Sequence, residues 1–272
     1  MKEISHKGLA RLVGTYGTYP LEQEVLESII KASVEPDLIN RQRITENFIN
    51  ALTIPIEWLL EHGIYAKDLA IYFINEAYEA KKNNDISWSK SLGWAFHFIT
   101  DWGTPHHSPK SKSNPVIPSA KIGAKTGAFA GGIGGLIKGI TKPNISFWEV
   151  LLDVLKGVGT GAVIGAGVGA GAGVIELAFD HNNFEKRCDV LWEENLQSIR
   201  DNFRIKVGEQ QLPEQSTSAL NLLEEKMNSL RQLCENLPTN WIDTCDSDEY
   251  LEYMIQIALV MDLANQIVME SS

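Results

Sequence analysis

The chain predicts an all-α fold, a helical bundle interrupted by a glycine-rich helical hairpin. Three observations carry this reading. Amphipathic segments bounded by Pro, Gly and polar capping residues follow one another from Pro20 to Met269. Strand signals are scarce throughout. Between the helical segments, glycines recur every fourth residue in two runs of five, Gly123, Gly127, Gly131, Gly135 and Gly139, then Gly157, Gly161, Gly165, Gly169 and Gly173.

The first helical segment opens at Pro20, with Glu22 and Glu24 in its first turn and Val25, Leu26, Ile29 and Ile30 as its apolar side. Pro36 breaks it and leaves Asp37 on a loop or at the N-cap of the next segment. Glu61-His62-Gly63 reads as a helix C-terminus, where an imidazolium suits the dipole, so His62 is expected to cap. Helices then run from about Tyr65 to Lys82, with Leu69, Ile71, Tyr72, Ile74 and Tyr78 as candidates for burial, and from about Trp88 to Asp101. Beyond the glycine runs, helices are expected over Phe184 to Val207, Pro213 to about Leu237, and Asp246 to about Met269, the last strongly apolar.

Glycine costs about 1 kcal/mol per helical position against alanine, and it becomes useful where two helices approach closely. The uncharged run from Gly157 to Ile175 has the length of a membrane span. Residues 119–178 therefore read as a hairpin inserted into a helical domain made of 1–118 and 179–272. Membrane contact through 119–178 is expected, with a flexible lid or self-association of a tight soluble hairpin as the blander alternatives. Lys110, Lys112, Lys121 and Lys125 at its base favour anionic headgroups.

Composition narrows the function. A chain of 272 residues, 44% hydrophobic, can bury one large core or two small ones. The net charge of −11 makes nucleic acid an unfavoured partner, since no basic stripe offers itself to phosphates. Cys188, Cys234 and Cys245 are scattered without CxxC spacing and read as core thiols. The first residues lack an apolar h-region, so a cytoplasmic or membrane-associated location is expected. No Walker, GxSxG or Rossmann pattern is present.

The chemistry-bearing residues lie in two short motifs. In Trp94-Ala95-Phe96-His97-Phe98-Ile99-Thr100-Asp101-Trp102, His97 and Asp101 are four apart and leave the same helix face among apolar neighbours. A buried carboxylate beside a buried imidazole is costly unless something ionic satisfies both, and a metal cation does. The blander reading is a self-satisfied core pair. Gly103 and Pro105 end the helix, and the turn returns His107 towards the same place. His181 and Glu185 repeat the i, i+4 spacing.

The order H-x3-D-x5-H followed by H-x3-E resembles the zinc-dependent phospholipase C family and the related zinc-dependent single-strand nucleases. The resemblance covers roughly the first 110 residues and resumes near His181. It implies an all-helical domain binding two or three zinc ions, which acidify a water that attacks phosphorus in line. It implies that His97 and Asp101 hold a first metal, that Asp101 bridges to a third, and that His107, His181 and Glu185 hold the second. It further implies that Asp37 ligates the first metal and steers the attacking water. His6, with Met1, would complete the third site. One position departs from the family: where a His precedes a Phe ahead of the central motif, this chain has Asn47-Phe48, a weaker ligand. The site is altered there, or His62 substitutes; the capping reading of His62 is preferred. The resemblance implies hydrolysis of a phospholipid or related phosphoester. The alternatives are a single-strand nuclease, or a non-catalytic membrane or assembly protein with a degenerate metal site.

Overall fold

The computed structural model describes residues 3–37, 60–108, 163–210, 216–238 and 240–270, and every element among them is helical. The chain forms two compact units, Met1–Ser113 with Asn182–Ser272, and Asn114–His181. Helices α1 (Glu3–Tyr16) and α2 (Gln23–Ala32) lead to a further helical turn at residues 35–37. A π-helical turn over Leu60–Ile64 precedes α3 (Ala66–Lys82) and α4 (Trp88–Trp102), and a 3-10 turn, Pro105–His107, follows them. The long α5 (Val163–Val207) belongs to the second unit up to His181 and to the first from Asn182. Helices α6 (Ser216–Asn236), the short α7 (Trp241–Thr244) and α8 (Ser247–Met269) complete the chain.

In the first unit α4 packs against α1, α2, α3, α6 and α8. It can do so because it is apolar nearly all round: Leu92, Gly93 and Ala95 through Asp101 are all buried. Its approach to α2 is close, since a Cβ added at Gly93 would lie 2.5 Å from Ala32 Cβ and 2.6 Å from the Ile29 carbonyl oxygen. On α3 the buried seam is Ala66, Ala70, Ile74 and Ala77, mostly small residues that admit a neighbouring backbone. Tyr72 is exposed, because it stands on the opposite face of α3 from that seam. The α3–α4 turn passes through Asn84 at φ 57°, a left-handed conformation asparagine tolerates.

Helix α8 is the other core element, with Tyr250 and Tyr253 through Ile255 fully or almost fully buried. The Asp246 carboxylate caps it by accepting from the Glu249 backbone N–H at 2.8 Å. Among the described residues α8 is the helix long and apolar enough to cross a membrane, yet 78% of its apolar window is buried inside the protein. Its composition is what a bundle core requires.

Several boundaries differ from the sequence reading. Helix α2 starts at Gln23 rather than Pro20, with extended Glu22 as its N-cap. Asp37 lies in a helical turn behind Pro36, which suits the first turn of a helix because its missing N–H leaves no bond unmade there. Helix α5 begins at Val163, so Gly165, Gly169 and Gly173 belong to the same helix as Phe184 to Val207. The first glycine run, Gly157 and Gly161 lie outside the described residues. Cys188 and Cys234 are buried thiols, and burial raises both, Cys234 to about 12.

Candidate metal centre

The site grows from the last two turns of α4. His97 and Asp101 project from one face, and both are almost fully buried. His97 donates its Nδ1–H to the Ser33 carbonyl at 2.9 Å, where α2 ends. In the neutral ring that bond fixes the tautomer and leaves Nε2 with its lone pair turned towards the carboxylates, as a metal-binding imidazole requires. Nε2 lies 3.0 Å from Asp101 Oδ2, 3.1 Å from His62 Nδ1 and 4.0 Å from Asp37 Oδ1.

Asp101 is the hub. Its Oδ2 meets His62 Nδ1 as well as His97. Its Oδ1 lies 3.7 Å from His6 Nε2 and 3.4 Å from His107 Nδ1. Four imidazoles from four segments thus face one carboxylate. The His6 ring stacks on His97 with centroids 4.7 Å apart and planes 18° from parallel, while His62 stands edge-on to His97. Asp37 Oδ1 approaches His62 Nδ1 at 3.9 Å. With 19% of its side chain exposed, against 2% or less for the other five, Asp37 marks the side on which solvent reaches the cluster.

Each segment has a local reason for its place. Helix α1 is held by Ser5, whose N–H and Oγ both donate to Asp189 on α5, at 3.3 and 2.7 Å. That fixes the adjacent His6. Gly103 closes α4, and its carbonyl accepts from Tyr253 Oη and Cys234 Sγ, each at 2.7 Å. Thr104 turns extended and Pro105 opens the 3-10 turn, which returns His107 to Asp101.

Burial and mutual charge set the electrostatics of the cluster. For Asp101, burial alone would raise the carboxyl; His97, His62 and His107 outweigh it and hold it well below the carboxylate range. Asp37 is lowered likewise, burial being overcome by His97 and His62. Burial opposes charge on His97, but Asp101 and Asp37 prevail and raise it to about 9. His6 takes the opposite course: burial and the neighbouring His97 lower it to about 3.

A metal ion fits this donor set. The ligand atoms of His62, His97 and Asp101 lie within 4.8 Å of one another, as do those of His6, Asp37 and His97. Both ring nitrogens of His6 are buried with no hydrogen-bond partner among the described residues. A neutral imidazole left so costs about 1–3 kcal/mol, and a cation at Nε2 would satisfy one of the two nitrogens.

Of the residues singled out in the sequence, the structure brings together His6, Asp37, His97, Asp101 and His107. His62, the alternative ligand named for the Asn47 position, joins them, with its ring on Asp101 and His97 rather than in the preferred capping role. Its ring is turned inward onto Asp101 and His97 because residues 60–64 form a π-helical turn, a wider coil that re-aims one side chain and recurs at functional sites. Glu185 is buried on α5, one turn before Asp189, and belongs to neither tight donor group. Asn47, Met1 and the side chain of His181 lie outside the described residues.

In comparisons with protein families, curated proteins and solved structures, nothing matches this chain.

Proposed function

We propose that this protein is a metal-dependent phosphoester hydrolase built on the His6, Asp37, His62, His97, Asp101 and His107 centre, with zinc as its metal. The observation that carries the reading is the buried Asp101 carboxylate ringed by four imidazoles, one of which, His6, has two unsatisfied ring nitrogens. His62, His97, Asp37 and Asp101 would hold one ion. Asp101 and His6 would hold a second, and His107 would serve a further position that the resemblance shares with His181 and Glu185. Bound there, zinc supplies Lewis acidity towards a phosphoryl oxygen and acidifies a water molecule.

The chain's own groups supply the rest. Asp37 stays ionised at neutral pH and stands at the solvent edge, so its free carboxylate oxygen can orient a water and accept its proton. Asp101 is inaccessible to solvent and fixed between imidazoles, which suits a bridging ligand rather than a base. The Ser33 carbonyl keeps the His97 ring oriented. The phosphoester substrate is supported by the H-x3-D-x5-H and H-x3-E motifs. A phospholipid is preferred to nucleic acid because the net charge of −11 repels a polyanionic backbone, and the glycine runs of residues 119–178 suit contact with a membrane.

The test is hydrolysis by zinc-loaded protein of phospholipid vesicles, a chromogenic phosphodiester and single-stranded DNA. The expected result is phosphodiester and lipid cleavage by the native protein that is lost in Asp37→Asn. Cleavage of DNA alone would move the reading to the nuclease branch. No cleavage by the loaded protein would overturn the activity.

A further inference from the structure

We propose that Arg231, on α6, is a positioning residue of the metal centre, setting the spacing of His62, Asp101 and His107 through the backbone beside each. The inference rests on the metal-centre reading and concerns a residue that ligates nothing. Arg231 is almost fully buried, and both of its Nη groups donate to main chain. Nη1 donates to the Trp102 carbonyl at 3.0 Å, and Nη2 to the carbonyls of Gly63 at 3.0 Å and His107 at 3.3 Å. Those acceptors come from three separate segments. Gly63 follows His62 in the π-helical turn, Trp102 follows Asp101 at the end of α4, and His107 is itself the third donor.

Two further contacts fix the guanidinium in its plane. It lies over the Trp102 ring at 4.2 Å, and that indole donates to the Met227 carbonyl, one turn before Arg231, at 2.8 Å. Arg231 Nε stands 3.5 Å from Glu235 Oε1, which also accepts from Ser108 Oγ at 2.6 Å, beside His107. Helix α6 therefore grips both ends of the 3-10 turn. The two ligand-bearing turns are in direct contact as well, since a Cβ at Gly63 would collide with the His107 carbonyl oxygen.

Chemistry favours arginine for this task. The last carbonyls of α4 have no helical partner and carry the negative end of its dipole. A planar fork of donors can satisfy carbonyls on three segments at once, whereas lysine offers three donors about a single point. Burial pulls the Arg231 guanidinium down to about 10, so it remains cationic at neutral pH. An apolar core residue would fill the volume and leave these carbonyls unpaired.

The experiment measures zinc affinity by competition with a fluorescent chelator, and the visible spectrum of the cobalt-loaded protein, for native protein, Arg231→Lys, Arg231→Met and Asp262→Asn. Asp262 is a control, a buried carboxylate that accepts from Thr18 and Gln266 instead. Helicity and melting temperature are recorded for each. The expected result is a loss of zinc affinity of about 10- to 100-fold in both Arg231 variants, the range for residues that orient metal ligands, with an altered cobalt spectrum. Arg231→Lys keeps the charge and supplies the measurement should Arg231→Met fail to fold. Asp262→Asn should melt earlier and bind zinc as the native protein does. Native affinity and spectrum in Arg231→Lys would overturn the positioning role, as would an equal loss in Asp262→Asn. Absence of zinc binding by the native protein would overturn the metal centre and the inference together.

Discussion

Around Asp101 two histidines are driven in opposite directions, and the consequence is measurable in the metal-free protein. His97 rises from 6.5 to about 9, so its stabilising contribution is complete below pH 6.5 and is lost as pH climbs through 9. His6 falls from 6.5 to about 3, so stability drops as pH descends from 6.5, where the unfolded chain takes the proton first. Asp37 and Asp101 are lowered, and their contributions disappear in acid below the ordinary carboxylate value. Melting of the metal-free protein is therefore expected to be highest near pH 6.5 and to decline on both sides; an alkaline decline unchanged in His97→Asn would contradict the assignment. Zinc loading at pH 7.5 should release about one proton from His97, read as a dependence of calorimetric heat on buffer ionisation enthalpy. The His97 and Asp101 pair was legible in the sequence because a polar i, i+4 pair inside an apolar helix needs a partner. His62 was not. It lies 39 residues from Asp101, and Glu61-His62-Gly63 has the composition of a helix end, while π-helical widening leaves no signature in residue order.

Close approaches between elements hold the donors in place, and glycine marks two of them. Gly93→Ala would force α4 away from α2, where the new Cβ would meet Ala32 Cβ at 2.5 Å and Ile29 O at 2.6 Å. A loss of about 1–3 kcal/mol is expected in denaturant unfolding, together with weaker metal binding, because the Ser33 carbonyl that orients His97 closes α2. Gly63→Ala should have the smaller effect on overall stability and the larger on zinc affinity, since the clash falls between the two ligand-bearing turns. The reverse order would show that the turns do not set the site. Apolar spacing located most of these elements, and their ends were less legible. Pro20 signals a helix start three residues before Gln23, because proline suits both a first helical turn and the extended segment that leads into one. Glycine spacing placed a boundary near residue 178, and that position falls within α5 (Val163–Val207). The small residues that mark close helix packing are not strong enough helix breakers to end a helix whose later turns are anchored in a core by Phe184, Cys188, Leu191, Ile199 and Phe203.

At the scale of the molecule, the proposed metal centre draws on α1, the turn at residues 35–37, the π-helical turn, α4 and the 3-10 turn, so ion binding would be coupled to the folding of the first unit. Free zinc at 100 times its dissociation constant should stabilise the protein by about 2.7 kcal/mol, seen as a rise in melting temperature that chelator reverses and Asp101→Asn abolishes. The all-α class was legible because helical periodicity runs through the chain; the assembly of the centre was legible only where sequence neighbours carry it. The measurement that tests the account most directly is zinc content per chain of untagged native protein purified without chelator, beside His62→Ala and His97→Ala. The account expects at least one tightly held ion in the native protein and its loss in both variants, with helicity preserved. Native protein devoid of metal, or His62→Ala retaining a full complement, would contradict it.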